Sequence, residues 1–142
     1  MTTRALAATA ARLETPLYTA LRAVAGAMFM FHGAQKILGW LAAGPGPAAG
    51  TQLWFGGIIE LAAGTLIALG LFTRAAAFLA SGTMAVAYLQ FHWKLALSGF
   101  AWLPAVNKGE LAALYCFLFL YVTARGPGAI SVDALRGGPR GH

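Results

Sequence analysis

Between Leu17 and Leu38 the chain reads LYTALRAVAGAMFMFHGAQKIL, and this stretch limits the possible folds more than any other. As a helix rising about 1.5 Å per residue it is long enough to cross the roughly 30 Å hydrocarbon core of a bilayer. Its polar residues are not scattered. Arg22, Phe29 and Lys36 recur every seventh residue, with Gly26 and Gly33 between them and His32 one turn before Lys36, so all six share one side of the helix. A charge at bilayer depth costs about 2.5–3.5 kcal/mol on insertion scales and turns toward protein, a cavity or a partner charge. That side is therefore expected to face other helices.

The rest of the chain can supply them. Of 142 residues, 59% are hydrophobic and 10% charged, with a mean hydropathy of +0.69. This fits an integral membrane protein with room for about four spans and no separate soluble domain. The formal net charge of +6 is no nucleic-acid signature, because no basic run carries interleaved aromatics; anionic lipid and membrane topology account for it. Cys116 stands alone, which excludes an internal disulfide, a Cys-x-x-Cys redox pair and a thiolate zinc site. It is expected to pack as a small hydrophobe. Arg4 and Arg12 ahead of an apolar run resemble a secretory signal, yet the run is too long and contains Arg22, so the segment is expected to be retained.

The fold class expected is an all-α, four-span antiparallel up-down bundle forming one membrane domain. Residues 1–14 read as a surface helix or frayed tail, with Thr15-Pro16 as a helix opening. Spans follow at about 17–38, 53–72, 75–93 and 106–124, and polar residues 126–142 form a tail after Gly126-Pro127-Gly128. On the second span, Gly56, Glu60, Gly64 and Ala68 recur every fourth residue, a spacing that lets another helix approach closely and points Glu60 into the contact. Arg4, Arg12, Arg74, Arg125, Arg136 and Arg140 fall on one side of this arrangement and Lys94 and Lys108 on the other, which places both termini in the cytoplasm. Trp40, Trp54, Trp93 and Trp102 gather at the outer ends, as an interfacial belt would.

With that topology, His32 and Glu60 lie at one depth, about 10 Å below the outer boundary. His92, Lys36, Asn107 and Glu110 belong to the same outer half, so every span sends a polar group toward one pocket. Lys36 can neutralise Glu60 or Glu110, and an ion-pair network holding the bundle together is the plainest role for the group. The other role is a site for a small polar headgroup such as a quinone ring, for a small solute, or for a proton relay. Haem ligation by His32 and His92 and a carboxylate metal site carry less weight, the latter because no Glu-x-x-His pair exists and lysine competes for the carboxylates. On the cytoplasmic side Arg22, Arg74 and Asp133 form a second, structural cluster, with Arg22 snorkelling and Asp133 folding back toward it.

Taken in order, Arg22, His32-Gly33, Lys36, Gly57 to Glu60, Gly64, Gly70-Leu71-Phe72-Thr73-Arg74, Asn107-Lys108-Gly109-Glu110 and Gly126-Pro127-Gly128 with Ser131 and Asp133 resemble the DoxX family of small four-helix membrane proteins. The resemblance extends from about Leu17 to Leu135. It implies a membrane subunit associated with redox work, since the family is named for similarity to the membrane subunit of an archaeal thiosulfate:quinone oxidoreductase. The expectation is therefore a multi-pass protein of the cell inner membrane, a subunit of a quinone-linked oxidoreductase complex, partnered by lipid and by other subunits or copies of itself. A non-catalytic anchor or assembly subunit is the main alternative and a proton-coupled carrier the second. The single Cys116 argues against thiol exchange within the chain.

Overall fold

In the computed structural model, which describes residues 3–137, the chain is helical throughout, with no strand among the described residues. Arg140 and the end of the polar tail lie outside the described residues. The helices are α1 (Thr3–Leu38), α2 (Gln52–Leu69), α3 (Thr73–Ala87), α4 (Pro104–Asn107), α5 (Glu110–Arg125) and α6 (Val132–Leu135); α3 runs straight into a π-helical turn, Tyr88–Trp93. Of these, α2 is both long and apolar enough to cross a bilayer, with a mean hydropathy of 1.5.

The first helix does not open at Thr15-Pro16 but runs 36 residues with Pro16 inside it. Alanine at positions 5, 7, 8, 10 and 11 supplies strong helix propensity ahead of the proline. Residues 3–17 are all exposed, so a carbonyl deprived of its donor faces the surroundings rather than a packed interior. The arm is held where it meets the bundle by Glu14, whose carboxylate lies 2.7 Å from the Arg125 guanidinium.

Glycines set the approach of α1 to α2. A Cβ built on Gly26, Gly33 or Gly64 would fall 2.5, 2.2 or 2.4 Å from a backbone nitrogen of the opposing helix, so only hydrogen fits there. The close-packed face of α2 is thus Gly57, Gly64 and Ala68; Gly56 is not part of it, and a Cβ at Gly56 meets nothing within 4 Å. Helix α2 starts at Thr51, whose hydroxyl accepts from the Trp54 N–H, and ends at Gly70 in the left-handed region at φ 71°.

The turn to α3 is too short for anything but an antiparallel neighbour. Ser81 Oγ donates to the Cys116 carbonyl at 2.8 Å and joins α3 to α5. Across the bundle the Phe29 ring packs on Tyr115 and Phe119 at 5.6 and 4.9 Å, joining α1 to α5. Phe29, Ile67, Phe119 and Val122 are fully buried at the centre, with Ala77 and Ala80. Outward faces remain apolar: Leu17, Val24 and Met28 on α1, Phe78 on α3, and Leu114 and Phe117 on α5 are all exposed. An apolar surface this continuous requires lipid or protein against it.

The fourth helix is shorter than the span 106–124 suggests, because Lys108 at φ 59° separates α4 from α5.

Candidate functional site

Where α1, α2, α3 and α5 diverge toward the Lys94–Lys108 end, they leave a cavity of about 580 Å³. Its walls are mostly apolar, from Phe29, Ile59, Met84 and Phe91 among others, and its polar groups are His32 and Lys36 of α1, Glu60 and Gln52 of α2, Thr83 of α3, His92 of the π-helical turn, Lys108 and Tyr115. Four of the six residues expected at an outer pocket, His32, Lys36, Glu60 and His92, therefore converge.

Glu60 is the centre of the site. Its Oε1 accepts from Lys36 Nζ at 2.6 Å, while its Oε2 is buried with no hydrogen-bond partner among the described residues. The two partners differ in environment, with side chains 4% exposed for Glu60 and 34% for Lys36. An orphaned carboxylate oxygen is costly, and a buried polar group normally finds a donor. The Tyr115 hydroxyl is likewise buried and unpartnered, and it lines the same cavity. Five residues into an apolar helix, Tyr115 gave no periodic signal; its place about 7.5 Å below Glu110 was the one available hint.

The π-helical turn widens the backbone at Tyr88–Trp93 and presents Phe91 and His92 to the cavity. Such turns recur at functional sites. His92 Nδ1 lies 3.3 Å from the Asn107 carbonyl.

Asn107 and Glu110 do not line the cavity. Asn107 holds the loop from Lys94 to Gly109: its Nδ2 donates to Tyr88 Oη at 3.1 Å and to the Ala101 carbonyl at 2.9 Å, and its Oδ1 accepts from the Gly109 N–H at 2.8 Å. The Tyr88 hydroxyl in turn donates to the Trp102 carbonyl. Glu110 is exposed in the first turn of α5, where its charge suits the helix dipole. Among the described residues no three His, Cys, Asp or Glu side chains are grouped as a metal ion would need.

At the opposite end Arg22, Arg74 and Asp133 occupy one region without pairing to each other. Arg22 does not snorkel: it is 2% exposed and donates to the carbonyls of Ile67, Ala68 and Ile130, closing the C-terminal end of α2. Arg74 donates to the carbonyls of Thr123 and Ala124, both at 2.6 Å, at the negative end of the α5 dipole. Asp133 caps α3 from far along the chain. Phe72 precedes α3 with no capping side chain, and Asp133 accepts instead from the N–H groups of Phe72 and Thr73 and from the Thr73 hydroxyl at 2.9, 3.0 and 2.9 Å.

Burial pushes the Asp133 carboxyl up, but those hydrogen bonds and the nearby Arg136 charge outweigh it and hold it below its ordinary value. Its contribution to stability is therefore full above the unfolded carboxylate pKa of about 3.9 and is lost as pH falls through the depressed folded value. Asp133→Ala is expected to cost about 0.5–2 kcal/mol at neutral pH, the range for a lost cap. Melting curves of the two proteins should converge as the pH drops below 4 by this sign; a gap that widens on acidification contradicts it.

Residues 17–93, more than half the chain, match the family model of DoxX. The chain belongs to the DoxX family. A protein of Haemophilus influenzae, described only as uncharacterized, is 42% identical over 116 residues, covering 80% of this chain and 85% of that protein. No solved structure matches. The DoxX match contains His32, Lys36, Glu60 and His92, the polar groups that the structure brings together, whereas Asn107 and Glu110 lie beyond it. A membrane protein of the DoxX type is thus the identity that sequence, apolar surface and family share.

Proposed function

We propose that this DoxX protein is a multi-pass protein of the cell inner membrane, and that its cavity holds the polar head of a quinone within an oxidoreductase complex. In this reading α1, α2, α3 with its π-helical turn, and α5 would cross the bilayer antiparallel to one another with both termini cytoplasmic. Supporting that orientation, Arg74, Arg125 and Arg136 lie at one end, and Lys94, Lys108 and the exposed Trp40 and Trp102 at the other. Cysteines introduced at Thr9 and Ser98 in a Cys116→Ala background test it. A membrane-impermeant maleimide added to intact cells should modify the second position and spare the first; the reverse pattern overturns the orientation.

The observation that carries the ligand reading is the unpartnered Oε2 of Glu60 beneath apolar walls. The residues present fit the head of a quinone/hydroquinone couple: the Glu60 carboxylate can accept from a hydroxyl of the hydroquinone, and Lys36, His32 or the Tyr115 hydroxyl can donate to a carbonyl of the quinone. A bound quinone would supply a two-electron, two-proton couple. Glu60, whose carboxylate charge Lys36 balances, would accept a proton given up by a hydroquinone hydroxyl inside the cavity, and His32 and His92 offer a path for that proton toward the Lys108 end. Apolar walls exclude water and fix the position of the ring.

Purified protein in nanodiscs should show a saturable change in tryptophan fluorescence on adding the hydroquinone form of a decyl-substituted benzoquinone, whose ring hydroxyls can donate to Glu60. Glu60→Gln should leave the protein folded and weaken that binding by tenfold or more, about 1.4 kcal/mol for a lost hydrogen bond to a charged acceptor. Equal binding by the two proteins overturns the placing of the head at Glu60, and no binding by either leaves the chain as a non-catalytic anchor.

A further inference from the structure

Two glycines in this bundle have no packing reason to be glycine. At Gly26, Gly33, Gly57 and Gly64 an added Cβ would collide with the opposing helix, whereas at Gly56 and Gly82 it meets no atom within 4 Å. An interior helix glycine weakens the helix relative to alanine, so an unpacked one needs another explanation. Gly56 lies on α2 and Gly82 on α3, and both line the cavity.

Around them the wall is apolar and open to the outside. Phe55 is 54% exposed and Val86 43%, and both also line the cavity. Toward the Lys108 end, Gln52 Nε2 donates to Gln90 Oε1 and fastens the start of α2 to the π-helical turn. Toward the other end α2 and α3 are joined by the turn at Gly70–Phe72. The gap between the helices is therefore a slot closed above and below. Lys36, His92 and Lys108 stand at the end of the cavity, and the side slot carries none of them. Independently of the glycines, Glu60 lines this cavity, and its buried Oε2 has no donor among the described residues.

We infer that the cavity opens sideways into the hydrocarbon between α2 and α3. Its occupant is then a membrane-dissolved amphiphile, with a hydrogen-bond-donating head at Glu60 and an apolar tail leaving past Gly56 and Gly82. This rests on the membrane and ligand readings above and narrows the ligand to one that arrives from the bilayer. A second apolar groove of about 400 Å³ lies between α1 and α5 and shares Leu111 and Tyr115 with the cavity. There, however, the Tyr115 ring, which lines both spaces, is packed against Phe29.

Two measurements on the full chain in nanodiscs test the inference. The first needs no ligand: in a Cys116→Ala background, Ala87→Cys on the cavity wall should react with a lipid-soluble maleimide. Adding Gly82→Leu should slow that reaction several-fold, while Met28→Trp in the α1–α5 groove should not. Unchanged labelling with leucine at 82, or slowing by tryptophan at 28, overturns the slot. In the second, Gly82→Leu should weaken binding of a decyl-substituted hydroquinone, whose head can donate to Glu60, by about tenfold and leave its tail-less parent unaffected. Equal loss for both probes overturns the assignment of the tail to the slot. If the labelling result holds while neither probe binds the unaltered protein, the quinone reading fails and the lateral opening stands.

Discussion

Gly33→Val is expected to yield almost no folded protein, and it is the most damaging single change the structure identifies. A Cβ at position 33 would sit 2.2 Å from the Leu61 nitrogen and 2.6 Å from the Gly57 carbonyl oxygen, both of them backbone. Side chains can rotate away from an intruder; two helix backbones can only separate. Overpacking a core costs about 1–3 kcal/mol when side chains absorb it, and this site offers none to do so. Separation would also pull Lys36 from Glu60 and Arg22 from the Ile67 and Ala68 carbonyls, contacts made on the same pair of helices. Gly82→Ala is the control. Its Cβ enters open space, so the variant should gain about 0.5–1 kcal/mol from helix propensity. Size-exclusion profiles and melting temperatures in one detergent decide the matter: a Gly33→Val protein that elutes and melts like the parent would mean that α1 and α2 do not approach as described.

That contrast also shows what could be read from the sequence. The seven-residue spacing of Arg22, Phe29 and Lys36 was legible because a helix makes it one face, and Arg22, Gly26, Phe29 and Gly33 are indeed buried together. The convergence of His32 with Glu60 was legible for a similar reason, since depth follows from residue count. The packing face of α2 was misjudged by one position, Gly56 instead of Gly57, because small residues lie on both rows and spacing alone does not say which row meets the neighbour. Three features rest on something that residue spacing does not carry. Asp133 caps α3 from some 60 residues away, Asn107 folds back on its own loop instead of entering the pocket, and Pro16 is tolerated because the arm around it is unpacked. The π-helical turn leaves no periodic trace at all, though it is what brings His92 to the cavity.

Lys36→Met should destabilise the protein far more than Glu60→Gln, although the two changes break the same hydrogen bond. The asymmetry follows from burial. With lysine gone, a carboxylate whose side chain is 4% exposed loses its only donor, since its second oxygen already has none. Removing one partner of a fully buried pair costs about 3–5 kcal/mol, and because the Lys36 side chain is one-third exposed a smaller loss, about 2–3 kcal/mol, is expected here. With glutamate neutralised, the ammonium can turn toward the exposed end and keep its hydration, so the loss should stay near 1 kcal/mol, the net value of an ordinary hydrogen bond. Combining the two changes removes the stranded charge, and the double variant should recover most of what Lys36→Met loses, giving a coupling of about 1–3 kcal/mol. Additive losses would mean that the pair does not interact in the folded protein. Recovery of stability without recovery of quinone binding would assign the ammonium to charge balance and the carboxylate to the ligand, the division of labour that the unpartnered Oε2 implies.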